Sequence, residues 1–134
     1  MKPGLRNFLA ILAGLIAGSA LNMFIVNNSG FLIPLPEGYI PGNEQSLKEH
    51  IHLFEAKHYL EPFLAHALGT LLAAFVAVKL AIRRKLFVGI FPGIFFLVGG
   101  ITAAVMFSIP FLPTLVDLVF AYVPFAWFGY KLAK

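Results

Sequence analysis

The chain contains no cysteine. Disulfides, thiolate metal sites and thiol redox chemistry are therefore excluded. So are the quinone-linked dithiol oxidoreductases, a class that otherwise suits small four-helix membrane proteins. Charge is scarce as well. Only 12% of residues are charged, against about 25% in a soluble domain. A His-Glu-x-x-His metallohydrolase motif is missing, and no nucleophile–base pair with a third orienting group can be read from the spacing. These two gaps leave an enzyme as the lesser reading. Nor is there a basic domain. The net charge of +4 sits beside apolar runs, as topology signals do, which argues against a nucleic-acid partner.

What is present is apolar. Sixty per cent of the 134 residues are hydrophobic, and mean hydropathy is +0.88. A globule this small has too little interior to hide so much apolar surface, so the lipid bilayer is the expected solvent. The length fits one domain, 1–134.

Four runs are long enough to span. The first, 8–26, is interrupted only by Ser19 and Asn22. It exceeds the roughly 7–15 apolar residues of a secretory signal and approaches the roughly 20 of a spanning helix. The others are 62–82, 86–107 and 115–132. Pro62 suits the first turn of its helix, while Pro92 and Pro124 should bend theirs. Ala10, Gly14, Gly18 and Asn22 recur every fourth residue, as do Ala65, Gly69, Ala73 and Ala77. Such small-residue ridges let two helix backbones approach, so spans one and two are expected to pack ridge to ridge.

Residues 27–45 are rich in turn formers. Ser46-Leu-Lys-Glu49 matches a capping box. It predicts an amphipathic helix over about 47–60, lying on the membrane surface. The fold class is thus an all-α, integral membrane four-helix bundle with one additional amphipathic helix on its outer face. Eight of the ten Lys and Arg residues flank the first run, the 82–86 turn and the C-terminal end, while five of the six acids lie in the 27–61 loop. The positive-inside rule then places both termini in the cytoplasm and the long loop outside. A bias this strong argues against dual-topology dimers.

Candidate functional residues fall into a few groups. His66 is the one histidine inside a span, and an ionisable group there is a functional candidate by default. The bland alternative is a neutral imidazole bonded across helices to Asn22 or Asp117. Asp117 is the one acid inside an apolar run. It either serves function or, in Thr114-Leu-Val-Asp117, caps the fourth span. With Asn22 and Glu61 these are the binding or proton-handling candidates. At about 1.5 Å rise per residue, Asn22, His66 and Asp117 each lie roughly one turn below the outer surface. They should form a polar layer, roofed by the amphipathic helix and open to the outside. His52, Glu55 and His58, at steps of three, could share a helical face and bind a divalent ion such as Zn. The plain alternative is a solvated polar face. Haem between helices wants two axial histidines, which argues against it here. Arg83, Arg84 and Lys85 anchor topology or meet lipid headgroups.

Phe63-Leu-Ala-His-Ala-Leu-Gly-Thr70 and Leu118-Val-Phe-Ala-Tyr-Val-Pro124, with Trp127-Phe-Gly-Tyr130, resemble an uncharacterised family of small four-span bacterial membrane proteins. The resemblance covers about the last two-thirds of the chain. It implies a bacterial inner-membrane location and brings no activity. The early membrane glutamate of the small multidrug exporters is absent, and the long loop and charge bias suit the dual-topology fluoride channels poorly. The expected role is transport or channel-like, as a homo-oligomer, or accessory to a larger membrane complex. The alternative is a metal-dependent enzyme acting on lipid or envelope substrates at the outer face.

Overall fold

The computed structural model describes all 134 residues, and every regular element is helical. Helix α1 spans Pro3–Asn27, α2 Glu44–His50, α3 Leu60–Leu80, α4 Lys85–Met106, α5 Phe111–Phe120 and α6 Val123–Ala133. Two 3₁₀ turns, Ile51–Leu53 and Ala56–Tyr59, lead from α2 into α3. Four segments are long and apolar enough to cross a membrane: Pro3–Asn27, Ala56–Leu80, Lys85–Met106 and Phe111–Ala133.

Helix α3 is central because two of its faces carry small residues. On one, Gly14 and Gly18 of α1 lie against the backbone carbonyls of Ala73 and Gly69. A Cβ on Gly69 would in turn sit 2.8 Å from the Gly18 carbonyl oxygen. The expected ridge-to-ridge contact is thus present. On the other face, Gly129 of α6 meets the Leu71 carbonyl and Ala74. Helix α4 closes the bundle through Gly93, which meets Ala126 of α6. With so little side chain at these seams, the large residues point outward. Phe8, Ile16, Phe24, Phe87, Phe95, Val105 and Leu132 are all exposed. That is the inverse of a water-soluble domain, which rarely shows contiguous apolar patches beyond a few hundred Å².

One end of the bundle gathers the positive residues. Arg6 Nε donates to the Leu80 carbonyl at 2.9 Å, and Asn7 Nδ2 to that of Arg83 at 2.8 Å. Asn7 Oδ1 accepts from the Ile82 amide at 3.1 Å. The start of α1 is thereby stitched to the α3–α4 turn. Arg83 and Arg84 are exposed there.

Three expectations need correction. The amphipathic helix over 47–60 is not continuous. Phe54 and Glu55 are extended, with ψ of 130° and 171°, and split the segment into α2 and two 3₁₀ turns. Ser46 is not the cap. Asn43 is, its side chain accepting from the Ser46 amide at 2.9 Å, while Ser46 Oγ accepts from the Ile40 amide at 2.8 Å. The fourth span is two helices rather than one bent helix. Pro124 has no N–H to give the Phe120 carbonyl, and its ring would clash with that group. The chain breaks ahead of it at Ala121–Tyr122, where Tyr122 has φ −96° and ψ −80°.

Candidate functional site

Two spans deliver the site. His66 lies in the second turn of α3, just past Glu61 and Pro62 in the first. Asp117 lies in α5. His66 Nδ1 donates to Asp117 Oδ1 at 2.7 Å, across 51 residues of sequence. The Tyr122 hydroxyl donates to Asp117 Oδ2 at 3.0 Å. The Tyr122 ring also stacks on the imidazole, with centroids 5.5 Å apart and planes 24° apart. Tyr122 reaches this position because Gly100 of α4 has no side chain: a Cβ there would lie 2.5 Å from the phenol oxygen. Each carboxylate oxygen therefore has one donor, and the imidazole keeps Nε2 uncommitted. The pair is only partly enclosed, with 32% of the His66 and 20% of the Asp117 side chain accessible.

The accessibility comes from two cavities that His66 borders at once. A smaller one, about 180 Å³, lies between α1, α3 and α4. Its lining includes Ser19, Asn22, Thr70 and Tyr122. Asn22 Oδ1 is buried and has no hydrogen-bond partner. A larger one, about 640 Å³, lies between α3, the end of α4 and α5, under the 3₁₀ turns. Asp117 lies on its wall with Phe54, Tyr59, Phe63 and Thr114. The Tyr59 hydroxyl is likewise buried and unpartnered. Unmade hydrogen bonds on buried groups cost roughly 1–3 kcal/mol each, so both atoms mark places where a guest or water would be held.

The expected polar layer is thus only partly assembled by direct bonds. His66 and Asp117 meet. Asn22 faces the same small cavity as His66 without bonding to it. The capping role for Asp117 is overturned. Helix α5 starts at Phe111, four residues earlier than expected, so Asp117 is its seventh residue and its carboxylate is engaged across the bundle. Thr114 Oγ1 instead reaches back to the Ile109 carbonyl at 3.4 Å.

Glu61 has a different occupation. Its carboxylate is buried and accepts three loop amides: Gly30 on Oε2 at 2.8 Å, and Leu32 and Ile33 on Oε1 at 3.1 and 2.9 Å. It ties the first loop to the start of α3. The metal-face expectation fails for a local reason. The break at Phe54–Glu55 destroys the helical register, and no three His, Asp or Glu side chains come together as a metal site. His58 turns inward, with Nδ1 accepting from the Glu55 amide at 2.8 Å and Nε2 donating to the Pro34 carbonyl at 3.1 Å. Glu55 pairs with exposed Lys57 at 3.3 Å. The same break takes His52 and His58 off a shared helical face.

Comparison with known protein families, curated proteins and solved structures finds no match to this chain.

Sequence reasoning missed Tyr122. In an unbroken helix, residues five apart point about 140° away from each other. Only the break before Pro124 turns Tyr122 back onto Asp117.

Proposed function

We propose that this chain is a small multi-pass transport protein of a bacterial inner membrane, with both termini cytoplasmic, in which the His66–Asp117 pair couples solute binding to protonation. The carrying observation is that pair, 2.7 Å apart inside apolar helices and bordering two cavities. Ionisable groups within membrane helices are costly, face cavities or one another, and mark proton and substrate routes. The apolar outer surface and the one-ended positive charge support the location and orientation. A structural pair would be expected to lie in a sealed seam. This one keeps a free imidazole nitrogen and two partly accessible side chains. Its carboxylate rides on α5, which buries none of its own residues and is cut off from α6 by the break at Ala121–Tyr122. A loosely packed wall is what a site that opens and closes needs.

The test is solute-driven proton movement. Purified protein is reconstituted in vesicles enclosing a pH-sensitive dye and challenged with cationic, neutral and anionic organic solutes. At least one class should move protons in the wild type and not in His66→Ala or Asp117→Asn. Failure of every class to move protons, or movement that both variants retain, overturns the reading.

A further inference from the structure

The larger cavity carries information about what it accepts. It is mostly apolar, with aromatic walls from Phe54, Tyr59 and Phe63, and no Lys or Arg lines it. The ionisable groups that face His66 are few. Helix α5 presents Asp117, the start of α6 presents Tyr122, and the 3₁₀ turn presents Tyr59 across the cavity. Helix α1 presents uncharged Asn22, and α4 presents nothing that titrates. Glu61, on the same helix, is turned away and held by the loop amides. The site's charge is therefore set by one carboxylate and one imidazole. With the Asp117 carboxylate ionised, it is −1 when His66 is neutral and zero when His66 is protonated. In neither state is it positive, so an anion finds no net counter-charge there. A cation with an apolar body finds a carboxylate, aromatic faces that attract positive charge, and a volume of about 640 Å³.

We infer that the larger cavity binds a hydrophobic organic cation, and that the cation and a proton compete for the His66–Asp117 pair. This deepens the transport reading and rests on it. The exchange balances. The protonated pair, with His66 as imidazolium and Asp117 as carboxylate, takes up one monovalent cation and releases the imidazole proton. That leaves His66 neutral and the Asp117 carboxylate neutralised by the guest. In this scheme the proton leaves by the smaller cavity, which His66 also borders. At about 30 Å³ per water, its 180 Å³ holds several molecules, and the unpartnered Asn22 Oδ1 is an acceptor for one of them.

The test uses two ions of nearly one shape and opposite charge. Tetraphenylphosphonium and tetraphenylborate are compared by equilibrium dialysis against the purified full chain in lipid nanodiscs, with empty nanodiscs subtracted. Tetraphenylphosphonium should bind saturably. Its affinity should fall on acidification, by up to about tenfold per pH unit where the pair takes up its proton. Asp117→Asn should lose about tenfold or more in affinity together with the pH dependence, and Asp117→Glu should recover part of both. Tetraphenylborate should show no component that depends on Asp117.

Equal binding of the two ions to the wild type would overturn the inference. So would cation binding that Asp117→Asn leaves intact in affinity and pH profile. The first comparison needs no variant, so misfolding of Asp117→Asn cannot hide a failure. In the vesicle assay, proton movement driven by neutral or anionic solutes alone would sink the cation inference and spare the transport reading. Silence with every solute would sink both.

Discussion

Gly18→Leu is expected to leave little correctly folded protein. A Cβ on Gly18 would run into the Gly69 carbonyl and lie 2.7 Å from that of Ala73. A leucine meets α3 directly, because both obstacles, the Gly69 carbonyl and Ala73, belong to that helix. Overpacking usually costs about 1–3 kcal/mol, and more when the neighbours cannot move. Here the neighbour is the central helix, so relief means driving α1 off it. In a lipid setting such a loss would be serious, since helices there associate by close packing and not by hydrophobic force. Gly18 also lines the smaller cavity, so the damage reaches the site. Gly4→Leu is the matched control, as nothing lies within 4 Å of its Cβ position. Thermal unfolding in detergent, followed by circular dichroism and by recovery of monodisperse protein, gives the answer. A Gly18→Leu melt as high as that of Gly4→Leu would mean that the α1–α3 seam is not as close as described.

The second large effect is expected at Glu61→Gln. The carboxylate accepts three amides on two oxygens, and all four lone-pair directions are usable. Glutamine keeps the shape but replaces one oxygen with a donor. The amides of Leu32 and Ile33 can still reach an oxygen, whereas the Gly30 amide then faces an NH₂ group. Hydrogen bonds to charged acceptors contribute about 1.5–3 kcal/mol each. Losing one should therefore ease local opening of the loop by about 2 kcal/mol, or roughly thirtyfold in amide exchange at Gly30. Global unfolding should move much less, because the seams along α3 are untouched. Hydrogen exchange read by mass spectrometry over residues 28–36 checks this. Unchanged exchange there would show that Glu61 does not hold the loop. A large loss confined to the loop, with tetraphenylphosphonium binding kept, would separate this anchor from the site at His66.

That four segments are long and apolar enough to cross a membrane was legible because it depends on composition alone. The small-residue seam between α1 and α3 was legible for a similar reason, since steps of four residues place Gly14 and Gly18 on one line whatever the surroundings. The segment between α1 and α3 was harder. Ser46-Leu-Lys-Glu49 satisfies the capping pattern, but Asn43 three residues earlier can cap the helix from its own side chain, and the chain took that cap. Leu47, Ile51, Phe54 and His58 fit one helical face, yet the backbone gives that face up at Phe54. His58 gains two hydrogen bonds by turning in, one to the Glu55 amide and one to the Pro34 carbonyl 24 residues back. A local pattern cannot weigh such a distant partner.

The site divides along the same line. That His66 and Asp117 are unusual residues at similar depth follows from hydropathy and helical rise, which need no knowledge of neighbours. That they bond each other, that Asn22 is left facing a cavity, and that Glu61 is spent on a loop 28–31 residues away were decided only when the helices packed. Tyr122 entered the site because a proline two residues later broke the helix and a glycine on α4 left room for its ring. Periodicity reports which way a side chain leaves its own helix. Which atom it meets depends on where other helices start, stop and break, and those contacts are set by packing across tens of residues that share no register.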